Sequence, residues 1–125
     1  MTKFDDPLKL IEAGLAYLVN HPEPITYSDF NAALGNHFDL NTEEGRYAIG
    51  QVLGLITDRL RDSSPNTRHF MLSALVHTKG GDPGAGFYKL AVDLRLLKPN
   101  ASEFDRMDFW VGQVKAIRDY YGYNA

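Results

Sequence analysis

At 125 residues and 44% hydrophobic content, the chain has material for one domain spanning 1–125, with a core that needs no staples. The absence of cysteine excludes disulfides, thiolate metal sites and cysteine nucleophiles, and a net charge of −3 argues against nonspecific coating of nucleic acid. No apolar run approaches the roughly 20 residues of a membrane span, and the opening Met-Thr-Lys-Phe-Asp-Asp has no signal-peptide layout, so a cytoplasmic, cofactor-free protein is expected.

The first predicted element is an amphipathic helix. Asp6 is placed to cap it, Pro7 suits its first turn, and Leu8, Ile11, Leu15 and Leu18 recur at helical spacing. His21-Pro22-Glu23-Pro24 ends it, because proline cannot continue a helix. After a short extended Ile25-Thr26, the run Thr26-Tyr27-Ser28-Asp29 has the form of a capping box. It opens a helix over 27–34 with Phe30, Ala33 and Leu34 inward, and Gly35 stops it. Phe38 and Leu40 punctuate a tight connection. A second cap at Asn41-Thr42 then starts a helix over 42–61 that buries Ile49, Val52, Leu53, Ile56 and Leu60.

Ser63-Ser64-Pro65-Asn66 reads as a turn, and 70–76 (Phe-Met-Leu-Ser-Ala-Leu-Val) as a short buried strand, with a buried helical turn as the other reading. The loop 79–86 follows, with five of its eight residues Gly or Pro. The next helix buries Phe87, Leu90, Ala91 and Leu94 and ends before Pro99. Ser102 and Asp105 cap a last helix whose inner side is expected to be Phe104, Met107, Val111, Val114, Ile117 and Tyr121, closed by Gly122. Trp110, Tyr120, Tyr121 and Tyr123 are expected to join core to a docking edge, a surface suited to a homodimer or another protein.

Charge is unevenly spread. Residues 1–58 carry three bases against nine acids, leaving −6; residues 59–98 carry seven against three, leaving +4; the remainder is −1. The middle third is where an anionic partner would be drawn. Two helices around a tight turn, then a strand and a glycine-rich loop, form the layout of a winged helix-turn-helix with added N- and C-terminal helices, an α+β class dominated by about five helices. In that layout the helix over 42–61 meets a major groove through Thr42, Arg46, Tyr47 and Gln51. The loop 78–86 is the wing, with Lys79 on a phosphate, and Arg59, Arg61 and Arg68 add phosphate contacts.

The segment Thr26-Tyr27-Ser28-Asp29-Phe30-Asn31-Ala32-Ala33-Leu34-Gly35 resembles the T-Y-G-D-L-A-x-x-x-G opening of the winged-helix domain of O6-alkylguanine alkyltransferases and alkyltransferase-like proteins. Tyr47-Ala48-Ile49-Gly50-Gln51-Val52-Leu53 is similar to their R-A-V-G-x-A-L helix, Pro65-Asn66-Thr67-Arg68 to their P-C-H-R or P-W-H-R, and 81–86 to their G-x-A-G-G loop. The likeness spans roughly residues 25–90 and implies a DNA-binding scaffold. It does not extend to alkyl transfer: Asn66 stands where the accepting cysteine would be, Thr67 replaces the histidine, and Tyr47 holds the place of the arginine beside Arg46. Residues 73–87 are also similar to a motif of small bacterial and phage proteins.

The plainer readings stand beside these. Arg46 and Tyr47 also fit solvated helix surface, and the glycine loop also fits a tight turn before a helix; it matches neither a Walker A nor a complete G-x-G-x-x-G. His21, His37, His69 and His77 lack metal-site spacing, and no hydrolytic triad can be assembled around Ser73. A polar cluster of His77, Lys79 and Asp82 is the best enzymatic alternative. The reading carried forward is non-catalytic binding of double-stranded DNA, with a protein-interaction module, such as a phage or mobile-element inhibitor of a host factor, as the alternative.

Overall fold

The computed structural model describes residues 6–122, so the expectations for residues 1–5 and for Tyr123 lie outside the described residues. Five α-helices occur among them: α1 (Pro7–Asn20), α2 (Tyr27–Ala33), α3 (Glu43–Ser63), α4 (Ala85–Asp93) and α5 (Glu103–Tyr120). No helix among the described residues is long and apolar enough to cross a membrane.

The caps explain where the helices begin. An oxygen on Asp6, Thr26, Thr42 and Ser102 accepts a backbone N–H from the first turn of α1, α2, α3 and α5 respectively, satisfying a donor that helix geometry leaves open. Gly35, in the left-handed region at φ 77°, follows α2 and turns the chain back, with the Asn36 N–H reaching the Asn31 carbonyl. Asn31 is buried and fixes the ensuing connection with both ends of its amide: Nδ2 donates to the Phe38 carbonyl at 2.8 Å, and Oδ1 accepts the Phe38 N–H at 3.1 Å.

The core sits where α1 crosses α3. Leu10, Ile11 and Leu18 of α1 meet Ile49, Leu53, Ile56 and Leu60 of α3, with Phe30 of α2 and the 70–76 run closing the space. Gly14 permits the crossing, since a β-carbon there would stand 2.6 Å from Ile56 Cδ1 and 3.3 Å from Phe30 Cζ.

The sheet is minimal. Strand β1 (Ile25–Thr26) pairs in parallel with β2 (Val76–His77), Ile25 opposite Val76 and Thr26 opposite His77, with α2 and α3 lying between them in sequence. No β-hairpin forms among the described residues, so the loop after β2 does not take the shape of an antiparallel wing. The seven-residue strand expected over 70–76 is corrected: Leu72–Leu75 is a 3-10 turn, and the strand is only Val76–His77. The whole run is buried, which is what its hydrophobicity encoded, but its backbone is satisfied by borrowed side chains rather than a ladder. Gln113 accepts the Met71 N–H at 2.6 Å and donates to the His69 carbonyl at 3.2 Å, Thr57 accepts the Ser73 N–H, and Trp110 Nε1 donates to the Ala74 carbonyl.

That fastening also rotates α5 away from its expected face. Ile117 is buried and Val114 and Tyr121 are partly so, but Phe104, Met107 and Val111 stand 77%, 61% and 56% exposed. The inward place goes to Gln113, because it satisfies the buried Met71 N–H and the His69 carbonyl, and helix geometry then turns the apolar stripe outward.

Candidate binding groove

A groove of about 810 Å³ lies between α3 and α4, open to solvent. One wall is α3, through Arg46, Tyr47, Gly50, Gln51, Gly54, Leu55 and Asp58; the other is α4, through Ala85, Gly86, Lys89, Leu90 and Asp93. Ile49, Leu53, Phe87 and Ser73 are its buried lining, and Tyr27, Thr78, Lys79 and Gly84 are among the residues at its ends.

Three glycines give this groove its depth. Substituted β-carbons at Gly50 and Gly86 would meet nothing within 4 Å, and one at Gly54 would only touch Leu90 Cδ2 at 3.9 Å. Gly50 and Gly54 sit one turn apart inside a helix, where each costs about 0.5–1 kcal/mol relative to alanine. No internal contact accounts for them. Gly45 differs: its β-carbon would stand 1.9 Å from the Asp39 carbonyl oxygen, so its absence is required by the fold.

Tyr27 braces the end of the groove. Its hydroxyl donates to the Pro83 carbonyl at 2.8 Å, holding the loop over the start of α2. Burial, and secondarily the Asp82 carboxylate, hold the Tyr27 phenol above its ordinary pKa. Tyr88 shifts the same way through burial and Asp82, against the opposing pull of Arg106, whose guanidinium lies 5.7 Å from the Tyr88 ring. The Asp82 carboxylate accepts the Gly84 N–H at 2.6 Å, so it serves the turn into α4. Ser73 is buried, and its hydroxyl has no hydrogen-bond partner among the described residues.

The residues expected to form one contact surface divide. Arg46, Tyr47, Gln51 and Lys79 line the groove together. Thr42 is a cap: its hydroxyl accepts from the Gly45 N–H and donates to the Asp39 carbonyl. Arg59 is paired with Glu12 of α1 at 3.2 Å, and the Arg61 guanidinium donates to the carbonyl of the exposed Arg68. Those arginines belong to the far end of α3, with Arg61 about 22 Å along the axis from Arg46 at ~1.5 Å per residue. The Arg46 guanidinium donates to the Leu40 carbonyl at 3.0 Å. The outward line of α3 is Glu44, Tyr47, Gln51, Leu55 and Asp58, all exposed, and its only charges are acidic.

The enzymatic cluster is not assembled. The Nδ1 of His77 contacts the Thr78 carbonyl and its ring packs on Trp110 beside a second cavity, Asp82 is spent on its turn, and Lys79 lines the groove. No group of three His, Asp or Glu among the described residues could hold a metal ion.

Sequence reasoning missed the α4 wall, and with it Lys89, Leu90 and Gly86, because nothing local announces that a helix forty residues later will face α3. Gly50-Gln51-Val52-Leu53-Gly54 was the available signal: two helix-weakening residues on one face. Comparison with family models, curated proteins and solved structures finds no match to this chain.

Proposed function

We propose that this chain is a non-catalytic protein-binding module that seats an apolar helical segment of its partner between α3 and α4. The observation that carries this reading is the pair Gly50 and Gly54, which lower helix stability, fill no internal need, and let a second backbone approach α3 closely. Tyr47, 70% exposed, and the exposed Leu55 flank the pair and supply apolar contact at its rim. Arg46, Lys79 and Lys89 against Asp58 and Asp93 give a mixed polar edge, as at non-obligate interfaces.

DNA binding is the second reading, in which a winged-helix-like use of α2 and α3 is retained without a hairpin wing. It is favoured by the convergence of Arg46, Gln51, Lys79 and Lys89 on one groove. The acidic outward line of α3 weighs against it, since Glu44 and Asp58 would face phosphates.

A photo-crosslinking residue at Leu55, with a control at the exposed Ala16 of α1, separates the readings in lysate. A polypeptide adduct at Leu55 alone, lost when Gly50→Leu fills the groove, is expected. A nucleic-acid adduct that vanishes steeply with salt supports the second reading instead. Equal adducts at both positions overturn the groove as the binding surface.

A further inference from the structure

The exposed stripe of α5 is a separate feature. Phe104, Met107 and Val111 recur at helical spacing on the face opposite Gln113 and Ile117. Beside the other end of the same helix lies a cavity of about 380 Å³, lined by Trp110, Val111, Val114, Lys115 and Arg118 together with Pro24, His77 and Gly81. One helix thus carries a projecting apolar end and an apolar recess. Its charges are segregated the same way: Glu103, Asp105 and Asp108 precede Val111, while Lys115 and Arg118 follow it; Asp119 and Arg106 are out of pattern, and the Arg106 guanidinium lies against the Tyr88 ring of α4.

We propose that two copies of this chain associate through α5, packed antiparallel about a two-fold axis at Val111. Phe104 and Arg118 each lie seven residues from Val111, about 10 Å along the axis at ~1.5 Å per residue. A two-fold there brings Phe104 of each copy to the level of Arg118 of the other, at the recess, and Met107 to the level of Lys115. Asp108 falls beside Lys115 of the second copy. Every favourable contact is made twice, as a closed isologous interface requires. Parallel packing would instead set acids on acids and bases on bases. The bond from Lys115 to Asp119 does not oppose the pairing, because it joins two exposed side chains and is readily exchanged. A contact built mainly on one helix per copy falls below about 1,200 Å², the class of transient associations. This surface is independent of the α3–α4 groove, so the proposal stands or falls apart from the function assigned above.

Sedimentation equilibrium of the full chain from about 10 µM to about 1 mM covers the range expected for such a contact. A concentration-dependent dimer is expected. Phe104→Asp should weaken it by roughly 30-fold or more, as loss of a central anchor does. Asp108→Lys and Lys115→Asp should each weaken it by roughly tenfold. An equimolar mixture of those two charge variants should regain the wild-type association, since both cross-helix pairs then join opposite charges. Thermal melts at low concentration check that each variant is folded, which the exposure of the three sites favours. A wild-type monomer across the whole range overturns the proposal. So does a dimer indifferent to Phe104→Asp, or a mixture of charge variants that does not recover.

Discussion

Gln113 closes two backbone groups of the segment 69–71, the buried Met71 N–H and the part-buried His69 carbonyl. Its amide stands in for a neighbouring strand that the fold does not supply at this place. Gln113→Ala should therefore destabilise the protein by about 1–3 kcal/mol, the cost of leaving buried polar groups unpaired, measured as a lower urea midpoint. Tyr27 gives a pH dependence of definite sign. Its phenol is held above its ordinary pKa in the folded state, so its contribution is complete below about pH 10 and lost as pH rises through the folded value. Stability should fall at alkaline pH, and Tyr27→Phe should reduce that fall; Tyr88 and Tyr121, raised chiefly by burial, leave a remainder of the same sign. None of these roles was legible in the sequence. A glutamine or tyrosine on a helix looks alike whether it faces water or a stranded carbonyl forty residues away.

At the scale of elements, the local signals were sound where the chemistry is local. Asp6, Thr26, Thr42 and Ser102 all cap as their types and positions suggested, and α2 and α3 begin within a residue of expectation. The failures share one cause, that an apolar pattern does not say which polar side chain will be needed inside. In α5 the demand for Gln113 outweighed a stripe of three large apolar residues, and over 70–76 the same partners replaced a ladder. The glycines of α3 make the point testable. Gly45→Ala should destabilise by about 1–3 kcal/mol because it drives a β-carbon into the Asp39 carbonyl. Gly50→Ala, five residues on in the same helix, should stabilise by about 0.5–1 kcal/mol because it meets open space. Thermal denaturation of the two variants should give shifts of opposite sign.

For the whole molecule, the mostly helical α+β character was legible from periodicity and caps, while the candidate groove was only half legible. Its α3 wall could be named from residues on one face, but its α4 wall depends on a fold-level meeting that no spacing encodes. The charge map shows the same limit, since the positive middle third includes arginines that the fold spends at the far end of α3. The manner in which 69–75 is held has an experimental consequence. The amide of Met71 is closed by a side chain of α5 and that of Ser73 by a side chain of α3, so neither is protected by its own neighbours in sequence. Deuterium uptake at these two positions is thus a pair of built-in gauges: the first opens when the last helix lifts away, the second when the long one does, and their order of opening reads out which helix leaves first.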